Sequence, residues 1–255
     1  MGLILNTLVF ENDVQSGATQ LSLVERIAKL HASGIEVRRE YFKDIHLESS
    51  KIKERTKIEG LLVNYSVPEV IFLKDGTVNP ELKNYLQEAQ EMGADKIKFN
   101  IGNFENFQGN IVNSLKPLLN YGIKINVEND QTTESGSYDN ILRFLKEIYS
   151  AGLKEIGYVY DLGNWAIVKE NAKDAANTLS PYIDYVHLKN MKPEKESYAT
   201  TDDLNSGIYN WREFLNIFPN NVEYALEYPM HSDELISSQM SLVQQAIQQK
   251  ESKSE

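Results

Sequence analysis

Cysteine is absent from the 255 residues, which excludes disulfides, thiolate metal sites and cysteine nucleophiles together. Histidine is scarce, with 4 residues, so any imidazole chemistry rests on very few positions. Basic residues are outnumbered, with Lys+Arg 26 against Asp+Glu 37 and a formal net charge of -11. That field repels phosphate backbones, so nucleic acid is not an expected partner. No apolar run approaches the roughly 18 residues of a membrane span, and no membrane association is expected. The apolar stretch Leu3 to Phe10 follows no basic region and runs straight into Glu11, Asn12 and Asp13, unlike a secretory signal. With the lack of cysteine, this predicts a soluble protein of the cytoplasm.

What is present reads as an ordinary folded domain, with 41% hydrophobic and 25% charged residues. Short β-branched runs alternate with amphipathic stretches, the pattern of repeated βα units around a parallel sheet. The expected strands are Leu3 to Phe10, Gly34 to Arg39, Gly60 to Tyr65, Lys96 to Ile101, Ile123 to Glu128, Glu155 to Asp161, Tyr182 to Leu188 and Val222 to Glu227. Helical spacing covers Ala18 to Ala32, Glu48 to Lys57, Glu81 to Met92, Phe107 to Asn120, Asn140 to Ala151, Ala166 to Leu179, Trp211 to Phe218 and Glu234 to Gln249. Helix-ending glycines are expected at Gly34, Gly93, Gly122 and Gly152, and Glu69 to Asn79 reads as a hairpin turning at Asp75-Gly76. Eight units in about 250 residues predict a single (β/α)8 TIM barrel over residues 1–249, with a polar C-terminal tail at 250–255. An open doubly wound sheet would need a glycine-rich phosphate loop after the first strand, where Phe10-Glu11-Asn12-Asp13 stands instead.

The last four strands end in Val127-Glu128-Asn129, Tyr160-Asp161-Leu162, Val186-His187-Leu188 and Leu226-Glu227-Tyr228. Each places a metal-capable side chain where strand becomes loop, one βα unit from the next. Any one of them alone would be read as a helix cap, a solvated acid or a core histidine. Their recurrence at four successive strand ends predicts that Glu128, Asp161, His187 and Glu227 converge on one divalent metal ion at the barrel mouth. An oxygen-rich set with one imidazole suits Mn2+ first, with Mg2+, Co2+ or Zn2+ as alternatives.

The succession Glu, Asp, His-x-Lys, Glu at these strand ends resembles that of the xylose isomerase-like barrels. These include sugar epimerases, inosose isomerases and dehydratases, hydroxypyruvate isomerases and apurinic endonucleases. Gly34-Ile35-Glu36-Val37-Arg38-Arg39 is a weaker echo of the family's second strand. The resemblance implies a metal-dependent isomerase or epimerase acting on a sugar, sugar phosphate or inosose. In it Glu128 and Glu227 pass a proton through an enediolate. Expulsion of a β-hydroxyl from the same intermediate would make the protein a dehydratase of a keto-polyol. A sugar-binding barrel without catalysis is the minor alternative. The endonuclease branch needs a richer histidine cluster than this chain offers. Relatives often pair, so a homodimer is a further expectation. Asn164 stands where many relatives have a histidine three residues after the second ligand, and it cannot titrate near neutral pH. Around the site, Arg38 is a candidate anchor for a substrate carboxylate or phosphate, its bland alternative being an ion pair with Glu36 or Glu40. Lys189 is a candidate donor to a substrate oxygen. Tyr65, Trp165 and Tyr228 are candidates for an apolar wall under the sugar.

Overall fold

The computed structural model describes residues 2–254. Among them, eight parallel strands close into a barrel. They are β1 (Leu3–Asn6), β2 (Gly34–Arg38), β3 (Leu62–Phe72), β4 (Lys96–Gly102), β5 (Lys124–Glu128), β6 (Ile156–Asp161), β7 (Ile183–Leu188) and β10 (Glu223–Leu226). A small antiparallel hairpin, β8 (Met191–Glu194) and β9 (Ser197–Thr200), follows β7 and was not anticipated from sequence. Closure is made by β1, which pairs with β2 on one side and β10 on the other. No described helix is long and apolar enough to cross a membrane.

The two faces of the staves explain the core. Outward residues such as Leu3, Leu5, Ile35, Val37, Ile97 and Phe99 pack with the helices into one continuous apolar layer. A second, separate cluster of Ile4, Val159, Tyr185 and Ala225 fills the barrel interior. Side chains alternate along a strand, so the next inward position after each of these is two residues on. Those positions are Asn6, Asp161, His187 and Glu227, all buried. An apolar floor one layer deep therefore carries a polar layer at the C-terminal mouth, where barrels of this type place their sites.

Several elements depart from the sequence reading, each for a local reason. The first strand stops at Asn6 because Asn6 Oδ1 accepts from Leu8 N at 2.9 Å and caps a 3-10 turn over Thr7–Phe10. The third strand does not end at Tyr65 but runs to Phe72 through a register shift between Ser66 and Val70. The Asp75-Gly76 turn forms as expected, with Gly76 at φ 81. Gly93, Gly122 and Gly152 take positive φ at helix ends, whereas beside Gly34 it is His31 that does so, at φ 60. Gly34 instead lies in β2, where an added Cβ would come within 2.9 Å of the Leu62 carbonyl oxygen. The helix expected over Phe107 to Asn120 is shorter, with Ile111–Leu115 leading into a 3-10 segment that contains Pro117. That over Ala166 to Leu179 is split by Lys169 at φ 60 into Asn164–Val168 and Ala172–Leu179. The last helix, Asp233–Ser254, continues beyond residue 249. Lys250 in it donates to the carbonyls of Phe218 and Pro219.

Candidate metal centre

Glu128, Asp161, His187 and Glu227 meet at the mouth: one ligand-type atom from each lies within 4.8 Å of all the others, and all four residues are buried. The register that brings them together is direct, since Asp161 pairs with His187 and Ala225 with His187 across neighbouring strands. His187 Nδ1 stands 2.5 Å from Glu128 Oε1 and 3.4 Å from Glu227 Oε2. Neither Nδ1 nor Glu128 Oε1 has an aligned hydrogen-bond partner, although both are buried. The two atoms face each other, and a cation could take over that contact with both as donors.

The other imidazole nitrogen is fixed from below. Glu36, on β2, accepts from His187 Nε2 at 2.8 Å and from the Tyr185 hydroxyl at 2.5 Å. A carboxylate on the outer nitrogen sets the tautomer that turns the Nδ1 lone pair toward the mouth, an arrangement common to metal-ligating histidines. Asn129 performs the equivalent task for the neighbouring strand ends. It donates to the Asp161 carbonyl at 2.9 Å, and its Oδ1 accepts from Asp161 N and the Tyr158 hydroxyl.

Three cations surround the carboxylates. Lys98 Nζ is 2.6 Å from Glu128 Oε2, Lys189 Nζ is 2.6 Å from Asp161 Oδ2 and 3.0 Å from Glu227 Oε2, and Arg38 Nη1 is 2.8 Å from Glu227 Oε1. Burial alone would raise the Glu128 carboxyl, yet Lys98 and His187 bring it down to about 2. Glu227 is likewise held well below the usual range by Lys189, His187 and Arg38 against the same burial. Asp161 goes the other way: burial, assisted by Glu227 and Glu128, outweighs Lys189 and lifts it to about 7. Burial would strip the proton from His187, but Glu36, Glu227 and Glu128 raise it well above 6.5. Without a metal ion, the centre thus retains protons that a cation would have to displace.

The site opens into a cavity of about 340 Å3 whose lining includes Arg38, Lys98, Asn100, Glu128, Asn164 and Lys189. Arg38 lies at it as expected, paired with Glu227 and Glu40 rather than with Glu36. Asn164 lines it with both ends of its amide engaged, donating to Asn129 O at 2.7 Å and accepting from Gln131 at 3.1 Å. Lys189 reaches the centre through room left by Gly163, where an added Cβ would lie 2.6 Å from Lys189 Cγ.

Three aromatic candidates lie elsewhere. Tyr65 is inside the lengthened β3 and faces the helices, donating to Glu88 at 2.6 Å. Trp165 is one residue beyond Asn164 on a short helix, a rotation of about 100° that turns it from the cavity onto Tyr160, at 5.8 Å between ring centroids. Tyr228 donates to Gln239 on the last helix at 2.9 Å. None of the three belongs to a wall of this cavity. The strand-end pattern does not single out Lys98 or Asn129, and it offers Glu36 only as a partner for Arg38. The alternation Lys96, Lys98, Asn100 on an otherwise apolar strand was the available signal for Lys98.

A closed barrel with this constellation at its C-terminal mouth defines the class of the molecule. Residues 24–247 match the family model of the xylose isomerase-like TIM barrel, and the chain belongs to that family. Solved structures of similar fold include the probable 3-DHS dehydratase involved in petrobactin synthesis from Bacillus anthracis. That likeness has 13% identity and a TM-score of 0.75, covering 96% of this chain and 99% of that one. An L-ribulose 3-epimerase is similar at 13% identity and TM-score 0.73, covering 99% of this chain and 96% of that one. The 3-keto-D-glucoside 4-epimerase from E. coli gives 12%, 0.64, 96% and 98% in the same order. The sequence has no significant match among curated proteins.

Proposed function

We propose that the chain is a divalent-metal-dependent isomerase or epimerase of a sugar or polyol, with Mn2+ the first choice of ion. The observation that supports this most is the convergence of four buried donor residues beside a cavity, with Nδ1 of His187 and Oε1 of Glu128 set against each other. Glu128, Asp161, His187 and Glu227 would hold the ion. When bound, it would supply positive charge to the substrate oxygen on which negative charge develops as a proton leaves the adjacent carbon.

The chain's own groups account for the proton. Either Glu128 or Glu227, in its ionised form, is the candidate to take the weakly acidic proton α to a carbonyl. A single carboxylate can carry that proton to the neighbouring carbon while the hydroxyl proton of the first carbon passes to the former carbonyl oxygen, giving aldose-ketose isomerisation. In epimerisation the carboxylate on the opposite face enters the cycle as the acid, having taken a proton from solvent through the cavity, and returns it to the carbon while the first carboxylate keeps the proton it removed. Lys189 and Lys98 present ammonium groups that hydrogen-bond and orient substrate oxygens. The same donors favour a second reading, dehydration, since a departing β-hydroxyl needs a donor beside it. Incubation with a panel of keto-sugars and inososes, followed by product analysis, separates the readings. Glu227→Gln is expected to retain the fold and abolish turnover, and full turnover would remove Glu227 from catalysis.

A further inference from the structure

We propose that the outer face of the helix over Ile45–Glu59 is an interface between two copies of this chain, packed antiparallel about a twofold axis. Among the described residues four large apolar side chains are exposed, and two of them, Leu47 at 64% and Ile58 at 67%, lie on this helix. A third, Leu62, follows shortly after its end. The helix already has an inward face, since Ser49, Ile52 and Thr56 are buried. At about 100° per residue, Leu47, Lys51, Glu54 and Ile58 form one stripe within an arc of roughly 60° on the side opposite those three. Leucine and isoleucine on a face turned away from the barrel gain nothing from the folding of a single chain, and exposed apolar groups rimmed by charge mark a contact surface.

The order of residues along the stripe selects the occupant. Leu47 and Ile58 stand equally far from the midpoint between Ile52 and Lys53, and so do Lys51 and Glu54. A twofold axis through that midpoint sets Leu47 against Ile58 of the second copy and Lys51 against Glu54 of the second copy, each contact made twice. Apolar then meets apolar, and cation meets anion. A parallel pairing would instead bring each lysine and each glutamate beside its own kind. Lys51 and Glu54 have no ion-pair partner among the described residues, although Arg55 beside them pairs with Glu25 and Glu59. On one flank Lys57 comes level with His46 of the second copy, against which Glu91 holds its carboxylate at 3.3 Å. On the other flank lies a groove of about 470 Å3 between this helix and the one over Gln20–Lys29, with Leu21 and Ile58 in its walls. The same twofold axis lays that groove over its own copy and shields both apolar walls from water.

The absence of cysteine makes cross-linking a direct test. In the antiparallel register residue 47 faces residue 58, whereas the two copies of residue 47 are separated by about 16 Å, beyond the roughly 7 Å between Cα atoms that a disulfide spans. Leu47→Cys mixed with Ile58→Cys is expected to give a disulfide-linked dimer under mild oxidation, with either variant alone giving about a tenth as much or less. Sedimentation equilibrium of the full chain should show a dimer whose Kd rises at least about tenfold in Ile58→Glu. Lys51→Glu should raise it about threefold, and adding Glu54→Lys should restore it. All four positions are exposed, so these substitutions leave the core intact. A wild-type chain that is monomeric at about 100 μM, a dimer that Ile58→Glu leaves unaltered, a charge reversal that its counterpart fails to rescue, or Leu47→Cys linking to itself as readily as to Ile58→Cys would overturn the proposal.

Discussion

Replacing Glu36 tests whether the centre is built for a metal ion, because Glu36 touches the candidate ligand His187 and none of the cavity. Its Oε2 accepts from His187 Nε2 at 2.8 Å and from the Tyr185 hydroxyl at 2.5 Å, all within the barrel interior. Losing such an outer partner typically weakens a metal site 10- to 100-fold, or about 1.4–2.7 kcal/mol. Glu36→Gln keeps an acceptor but not the charge, and is expected near the lower end. Glu36→Leu leaves two buried donors unpaired, at roughly 1–3 kcal/mol of stability each, and is expected near the upper end if it folds. A second effect runs the other way, since Glu36 also holds a proton on the imidazole that a cation must displace. That competition fades as pH rises, so the ratio of wild-type to variant affinity should widen with pH. Calorimetric titration with Mn2+ at several pH values measures this. Affinities within twofold of wild type throughout, with the fold intact, would refute the role of Glu36 in orienting His187.

Proton release gives an independent check. Asp161 is raised to about 7 and His187 well above 6.5, so both are protonated below neutrality in the metal-free protein and both must lose the proton to act as ligands. Mn2+ affinity should therefore climb most steeply with pH below about 7 and less steeply above it, and calorimetry in buffers of different ionisation enthalpy should count more than one proton released on the acid side. A pH-independent affinity contradicts this. Saturation with Mn2+ at about 100 times Kd should stabilise the protein by about 2.7 kcal/mol, a rise of roughly 5–10 °C in Tm that a chelator abolishes. An unchanged melting curve speaks against a specific site. Tyr65→Phe should cost about 1.5–3 kcal/mol in urea unfolding, since it deletes a buried hydrogen bond to Glu88, and leave Mn2+ affinity unaltered. A loss of affinity would return Tyr65 to the mouth.

The barrel and the convergence of Glu128, Asp161, His187 and Glu227 were legible in the sequence because both follow from one-dimensional regularities. Repeated alternation of strand and helix patterns implies a closed parallel sheet, and one chemical type at each successive strand end places the groups around one rim. Strand ends were read less well where a polar side chain or a bulge decides them, as at Asn6 and between Ser66 and Val70. The extension of the third strand to Phe72 is what removes Tyr65 from the mouth. Which partner a side chain takes was decided only by tertiary structure. Arg38 pairs with Glu227, 189 positions away, and Glu36 meets His187 across 151. Lys98 joins Glu128 from the adjacent strand. Such pairings depend on barrel register and on the direction of each pleat, and nothing local in the chain specifies the separation at which they occur. The ring of cations that gives the centre its charge therefore emerges only when the sheet closes.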